Sequence, residues 1–156
     1  MALFSSACGS SATPDPQPES LYVRMGGQAG VEAVATQMVA NVGAETGTVN
    51  SVMLRSHQPL LMAISSQNGA PATDPTRLDR LRNNVIDQFT DITGGPIKYK
   101  GKSMLVSHTN MRVTEQEYAV WRGILDKTLT ERSIGAKEKV EFTALIDAMK
   151  ADVVNH

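Results

Sequence analysis

His108 is the residue of this chain whose setting points most directly to chemistry. It lies in Met104-Leu105-Val106-Ser107-His108-Thr109-Asn110-Met111, one imidazole among the apolar side chains of Met104, Leu105, Val106 and Met111. An imidazole so placed can ligate a metal or act as a switch near neutral pH. Two punctuation marks position it. Upstream, Gly94-Gly95-Pro96 must end an amphipathic segment, because glycine is a common left-handed stop and proline cannot continue a helix. Downstream, Thr114 and Glu117 have the spacing of a capping box that begins the next helix. The interval leaves room for a loop and at most a short helical piece. His57 is the second candidate, either a surface or capping residue beside Arg55, Ser56 and Gln58, or a second ligand to the same centre.

Other chemistries find no footing. The chain has 156 residues, one domain by length and long enough to bury a core without disulfides or structural metal. Its net charge of -1 indicates neither a nucleic-acid footprint nor a polybasic membrane surface. The single cysteine, Cys8, excludes an internal disulfide and offers no zinc site. The pattern contains no internal repeat, no Gly-rich phosphate loop before a helix and no Ser/His/Asp constellation. No stretch is long and apolar enough to span a membrane. Residues 1–19 read as a disordered tail, rich in Pro and Ser. Small residues before Cys8 resemble the end of a lipoprotein signal, without its basic and most of its apolar region; the alternative is a flexible tail with a free thiol.

From residue 20 onward the periodicity is helical. Leu21 to Met25 is a short amphipathic element stopped by Gly26-Gly27, and Val31, Val34, Ala35, Met38 and Val42 line one face of the helix that follows. Gly43 to Gly47 reads as a loop, and Val49 to Ile64 as mostly helical around Pro59. Asp74-Pro75 is expected to start a helix, with aspartate as cap and proline at the first position. Within it Leu78, Leu81, Val85, Phe89 and Ile92 recur at three, four, four and three residues, one continuous apolar stripe. Tyr118, Trp121, Ile124, Leu125 and Leu129 form the next buried face, and Val140, Ala144, Leu145, Ala148 and Met149 mark the last helix. No strand pair is predicted.

The order of motifs resembles a known family. Gly94-Gly95-Pro96, then Tyr99-x-Gly101-x-x-Met104, then His108, then Val113-Thr114 before a helix is similar to the truncated haemoglobins of bacteria, protists and algae, group I in particular. Ser20-Leu21-Tyr22 through Gly26-Gly27, Gly30 to Val34, and Met149 to Val153 extend the resemblance over most of the chain from Leu21 to Val153. It implies an all-α, two-over-two helical sandwich over residues 20–156, holding a b-type haem whose proximal iron ligand is His108, with a backbone carbonyl accepting from the other ring nitrogen. The chain departs from the family before the distal helix, where a longer connection carries no aromatic residue. Leu60, Leu61 or Met62 could cover the same ring face.

By the same resemblance Val39, Leu81 and Val85 form the distal side, where relatives often carry tyrosine at the position of Val39 and glutamine at that of Val85. Asn84 stands where one branch has an iron-binding histidine. Phe89, Met104, Val113 and Tyr118 line the inner and proximal walls, and Tyr99 with Lys98 or Lys100 approaches the propionates. An apolar distal side implies weak oxygen retention and good binding of carbon monoxide and nitric oxide. Three classes of function remain: a gas binder for transport, storage or sensing; a haem redox enzyme such as a nitric oxide dioxygenase, served by a reductase; and a globin-like interaction module that has lost haem. The family implies a cytoplasmic location, and a lipidated Cys8 would imply an exported protein tethered to a membrane.

Overall fold

The computed structural model describes residues 18–156; the proposed signal remnant and Cys8 lie outside the described residues. Those described fold as seven α-helices: α1 (Leu21–Arg24), α2 (Gly27–Thr46), α3 (Leu54–Ile64), α4 (Arg77–Ile92), α5 (Met104–His108), α6 (Glu115–Glu131) and α7 (Ala136–Asp147). A 3-10 turn follows at Lys150–Asp152. Among the described residues no strand forms beyond two isolated bridges, so the expected all-α class holds. The frame is the two-over-two sandwich, with α2 packed against both α4 and α6. Among the described residues no helix is long and apolar enough to cross a membrane.

The core forms where the apolar faces of α1, α2, α4, α6 and α7 converge. Val31, Val34 and Ala35 of α2 and Leu125 and Leu129 of α6 have no exposed surface. Phe89 of α4 meets Phe142 of α7 edge to face, with ring centroids 4.9 Å apart. Gly30 lets α1 lie against α2, since a Cβ there would fall 1.8 Å from the Met25 carbonyl oxygen. At the edge of the core, Arg24 forms ion pairs with Glu138, at 2.7 Å, and with Glu141.

Two sequence expectations need correction, and the last helix forms as expected. α2 runs through Gly43 to Thr46 rather than ending there: the Gly43 carbonyl accepts from the Thr46 hydroxyl at 2.9 Å, and Thr46 is buried, so a well-anchored last turn outweighs glycine's cost. α4 begins at Arg77, not at Asp74-Pro75. The Asp74 carboxylate is drawn to the Arg80 guanidinium at 2.5 Å and leaves the helix without a side-chain cap. On α7 the buried residues are Phe142 and Ile146, whereas Val140, Ala144, Leu145 and Ala148 are exposed. The aromatic contact with Phe89 decides which face turns inward.

Candidate haem site

The segment bearing His108 is held at both ends. α4 ends at Thr93, Gly94 takes the left-handed conformation at φ 84°, and the Gly95 N–H donates to the Thr90 carbonyl at 2.8 Å. Only glycine fits at 95, because a Cβ would come within 2.6 Å of the Thr90 methyl and 2.7 Å of the Tyr22 ring. The next stretch is tied back to α4 by Asp91, which accepts from Lys98 Nζ at 2.7 Å and from the Tyr99 N–H at 3.1 Å. Lys98, and then the Tyr99 N–H, hold this carboxyl below its ordinary range. The Tyr99 hydroxyl donates to the Lys102 carbonyl at 3.0 Å, and burial pushes its pKa up. Ser103 caps α5 by accepting from the Val106 N–H. At the far end the Thr114–Glu117 capping box is present as the sequence predicts.

α5 is a helix of five residues, and His108 is its last. The imidazole Nδ1 lies 2.7 Å from the Met104 carbonyl oxygen. A carbonyl can only accept, so Nδ1 carries the proton of this bond and Nε2 is the ring nitrogen left for a ligand. Leu105 and Val106 of α5, and Leu78 and Leu81 of α4, remain large exposed hydrophobics. Val39 and Val85 are half-buried, and Val85 packs on the core together with the buried Phe89. Met104 is half-buried, whereas Val113 is buried and bridges to Val154. Tyr118 turns toward the end of α7: its hydroxyl donates to Asp147 at 3.1 Å, and Lys150 Nζ stands 5.3 Å from the ring centre. Burial first, and then Asp147, push its pKa up to about 12. The structure thus groups Val85 with Phe89, sets Met104 beside His108 through its carbonyl, and keeps Val113 and Tyr118 toward the end of the chain.

His57 repeats the geometry of His108. Its Nδ1 is 3.0 Å from the Met53 carbonyl oxygen, again four residues back, with the Ser56 hydroxyl also at 3.1 Å. Among the described residues no three His, Cys, Asp or Glu side chains gather to hold a bare metal ion. Sequence reasoning missed Arg55 and the buried side of Glu117. Arg55 donates to the carbonyls of Met111 and Arg112 and to Glu117, just beyond His108. The capping-box spacing located Glu117, but no local signal connects it to a residue 62 positions earlier.

The architecture has close counterparts among solved structures. Truncated haemoglobin from Tetrahymena pyriformis superposes with a TM-score of 0.65 for a point mutant in the Fe(III) form, at 20% identity over 88% of this chain and 100% of the other. Its Fe(III) form gives 0.64 with the same identity and coverage. No curated protein matches the chain significantly in sequence. The sequence model of the bacterial-like globins spans residues 41–155, from the last turn of α2 through the 3-10 turn and beyond. With that match over most of its length, and with the two-over-two fold, the chain belongs to the bacterial-like globin family.

Proposed function

We propose that this globin binds one b-type haem through Nε2 of His108 and serves as a binder of diatomic gases: oxygen, nitric oxide and carbon monoxide. The observation that carries this reading is the Nδ1–H of His108 donating to the Met104 carbonyl at 2.7 Å. Such a bond selects the tautomer, orients the ring and raises the basicity of the ligating nitrogen. Haem is the cofactor that globin membership implies, and the residues present fit it. The donor is an imidazole, and Leu78, Leu81, Leu105 and Val106 supply apolar side chains not consumed by the core. When bound, haem supplies iron with a position open to a diatomic gas.

The chain's own residues set the rest. His108 anchors the iron, and the apolar walls exclude water. Val39, Leu81 and Val85, proposed for the distal side, carry no hydrogen-bond donor. Oxygen, whose retention depends on such a donor, is therefore expected to leave faster than carbon monoxide or nitric oxide. Tyr99 and Lys100 are the proposed contacts for the propionates, since Lys98 is already paired with Asp91.

Titration with haemin, followed by absorption spectroscopy, tests the proposal. The expected result is a Soret band that saturates at one haem per chain and is lost in His108→Ala. A chain that takes up no haemin, or a His108→Ala variant that keeps the same band, overturns it. The ferrous spectrum adds a second readout, since ligation by His57 would give a six-coordinate form that His57→Ala abolishes.

A further inference from the structure

Three features of the segment around His108 require support from outside it. α5 spans only Met104–His108 and buries none of its residues, and a helix so short does not hold itself together. The chain then turns through two left-handed non-glycine residues, Asn110 at φ 69° and Arg112 at φ 49°. Such conformations persist where neighbouring groups over-determine them. The first turn of α6, finally, takes its reciprocal cap from one oxygen of Glu117, which accepts from the Thr114 N–H at 2.8 Å and the Thr114 hydroxyl at 3.0 Å.

We propose that Arg55 of α3 supplies this support and is a positioning residue for His108. Its guanidinium reaches three acceptors along the turn. Nη1 donates to the Met111 carbonyl at 3.0 Å, and Nη2 donates to the Arg112 carbonyl at 2.6 Å and to Glu117 Oε2 at 2.5 Å. A planar guanidinium presents these donors at fixed angles, so it sets the path of the chain as well as binding it. The acceptor end is firmly seated. Glu117 is 3% exposed, and its Oε1 has no hydrogen-bond partner, so its charge depends on the contacts that Oε2 makes. Arg55 stands in the first turn of α3, between the buried Met53 at the N-cap and the buried Ser56, with its own side chain half exposed.

The other side of the turn is pinned by backbone, where the Asn155 N–H donates to the Val113 carbonyl at 2.8 Å. Residues 109–113 are therefore gripped between α3 and the chain after the 3-10 turn. α3 also packs on α4, which carries Leu78 and Leu81, so one helix is tied both to the turn after His108 and to α4. A shift of α3 would reach the turn after His108 through Arg55. This inference rests on the proposed ligation of haem by His108.

The test compares wild type, Arg55→Gln, Arg55→Lys and, as a control, Arg24→Gln, which breaks ion pairs at the far edge of the core. Two quantities are read: the iron–histidine stretching band of the ferrous protein by resonance Raman spectroscopy, and amide hydrogen exchange of residues 109–114 in the haem-free chain. Arg55→Gln is expected to shift and broaden the band and to speed loop exchange by about tenfold, because the loop then opens without global unfolding. Arg55→Lys, with one ammonium for three acceptors, should restore only part of both. Arg24→Gln should leave the band and the loop exchange as in wild type. An Arg55→Gln protein with an unaltered band and unaltered loop exchange overturns the proposal, as does an equal effect from Arg24→Gln. Should the wild type take up no haemin, the reading of His108 fails, while the exchange measurement still decides whether Arg55 holds the loop.

Discussion

Along α4 the same apolar spacing meets two different surroundings. Ile86 and Phe89, in its second half, are 8% and 2% exposed, closed in by the core of α2, α6 and α7. Leu78 and Leu81, in its first half, are 37% and 39% exposed, and on neighbouring helices Met62, Leu105 and Val106 reach 53%, 41% and 56%. One half of the helix completes a core; the other leaves apolar surface available. A protein can sustain exposed apolar side chains when the packed side is sufficient for folding. The difference teaches that one half of α4 closes the core while the other keeps apolar side chains exposed, with Val85 and Phe89 at the boundary belonging to both the core and the proposed site.

The comparison can be broken by substitution. Phe142→Ala removes a fully buried ring from the packed side and should cost about 3–5 kcal/mol of the haem-free protein's stability, measured by urea unfolding. Leu81→Ala, on the open side, should cost the haem-free chain less than about 1.5 kcal/mol, since much of that side chain never leaves water. Its effect belongs to haemin affinity. Equal losses from the two variants in the absence of haem would erase the distinction. Thr114→Ala sits at the junction, where the capping box starts α6 just after the His108 loop, and should cost about 1 kcal/mol.

Acid sharpens the same boundary. Burial raises the Glu117 pKa, but the Thr114 N–H, Arg55, and the Thr114 and Ser56 hydroxyls outweigh it and leave it below the ordinary 4.5. A carboxyl depressed in the folded state contributes stability that is fully present above its unfolded pKa and is lost as pH falls through the folded value. Unfolding midpoints followed from neutral pH downward should therefore fall less steeply for Glu117→Gln than for wild type across that acidic window. Parallel curves would remove Glu117 from the acid response. The smallest effect is expected at Val140, 71% exposed, where Val140→Ala should change stability by no more than about 0.5 kcal/mol.

Much of this architecture can be read from local chemistry. The Gly94-Gly95-Pro96 stop, the Thr114–Glu117 capping box and the Leu125/Leu129 face depend on groups a few residues apart, and each appears as the spacing predicts. His108 and the carbonyl that accepts its proton are likewise four residues apart on one turn. The misread elements depend instead on which of several competing side-chain contacts wins: Gly43 stays helical because the turn beyond it is anchored by a buried threonine, and Asp74 abandons its cap for Arg80. The face that α7 buries depends on a distant partner, the Phe142 ring meeting Phe89.

By itself, then, the sequence determined an all-helical chain with one histidine displayed at the end of a short helix, because turns, caps and helical periodicity are short-range effects. Tertiary structure alone decided which half of the α4 stripe would be covered, and that Arg55 would grip the turn after His108. Those outcomes depend on which surfaces meet, and the contacts responsible join residues 53 to 62 positions apart, beyond the reach of any local pattern.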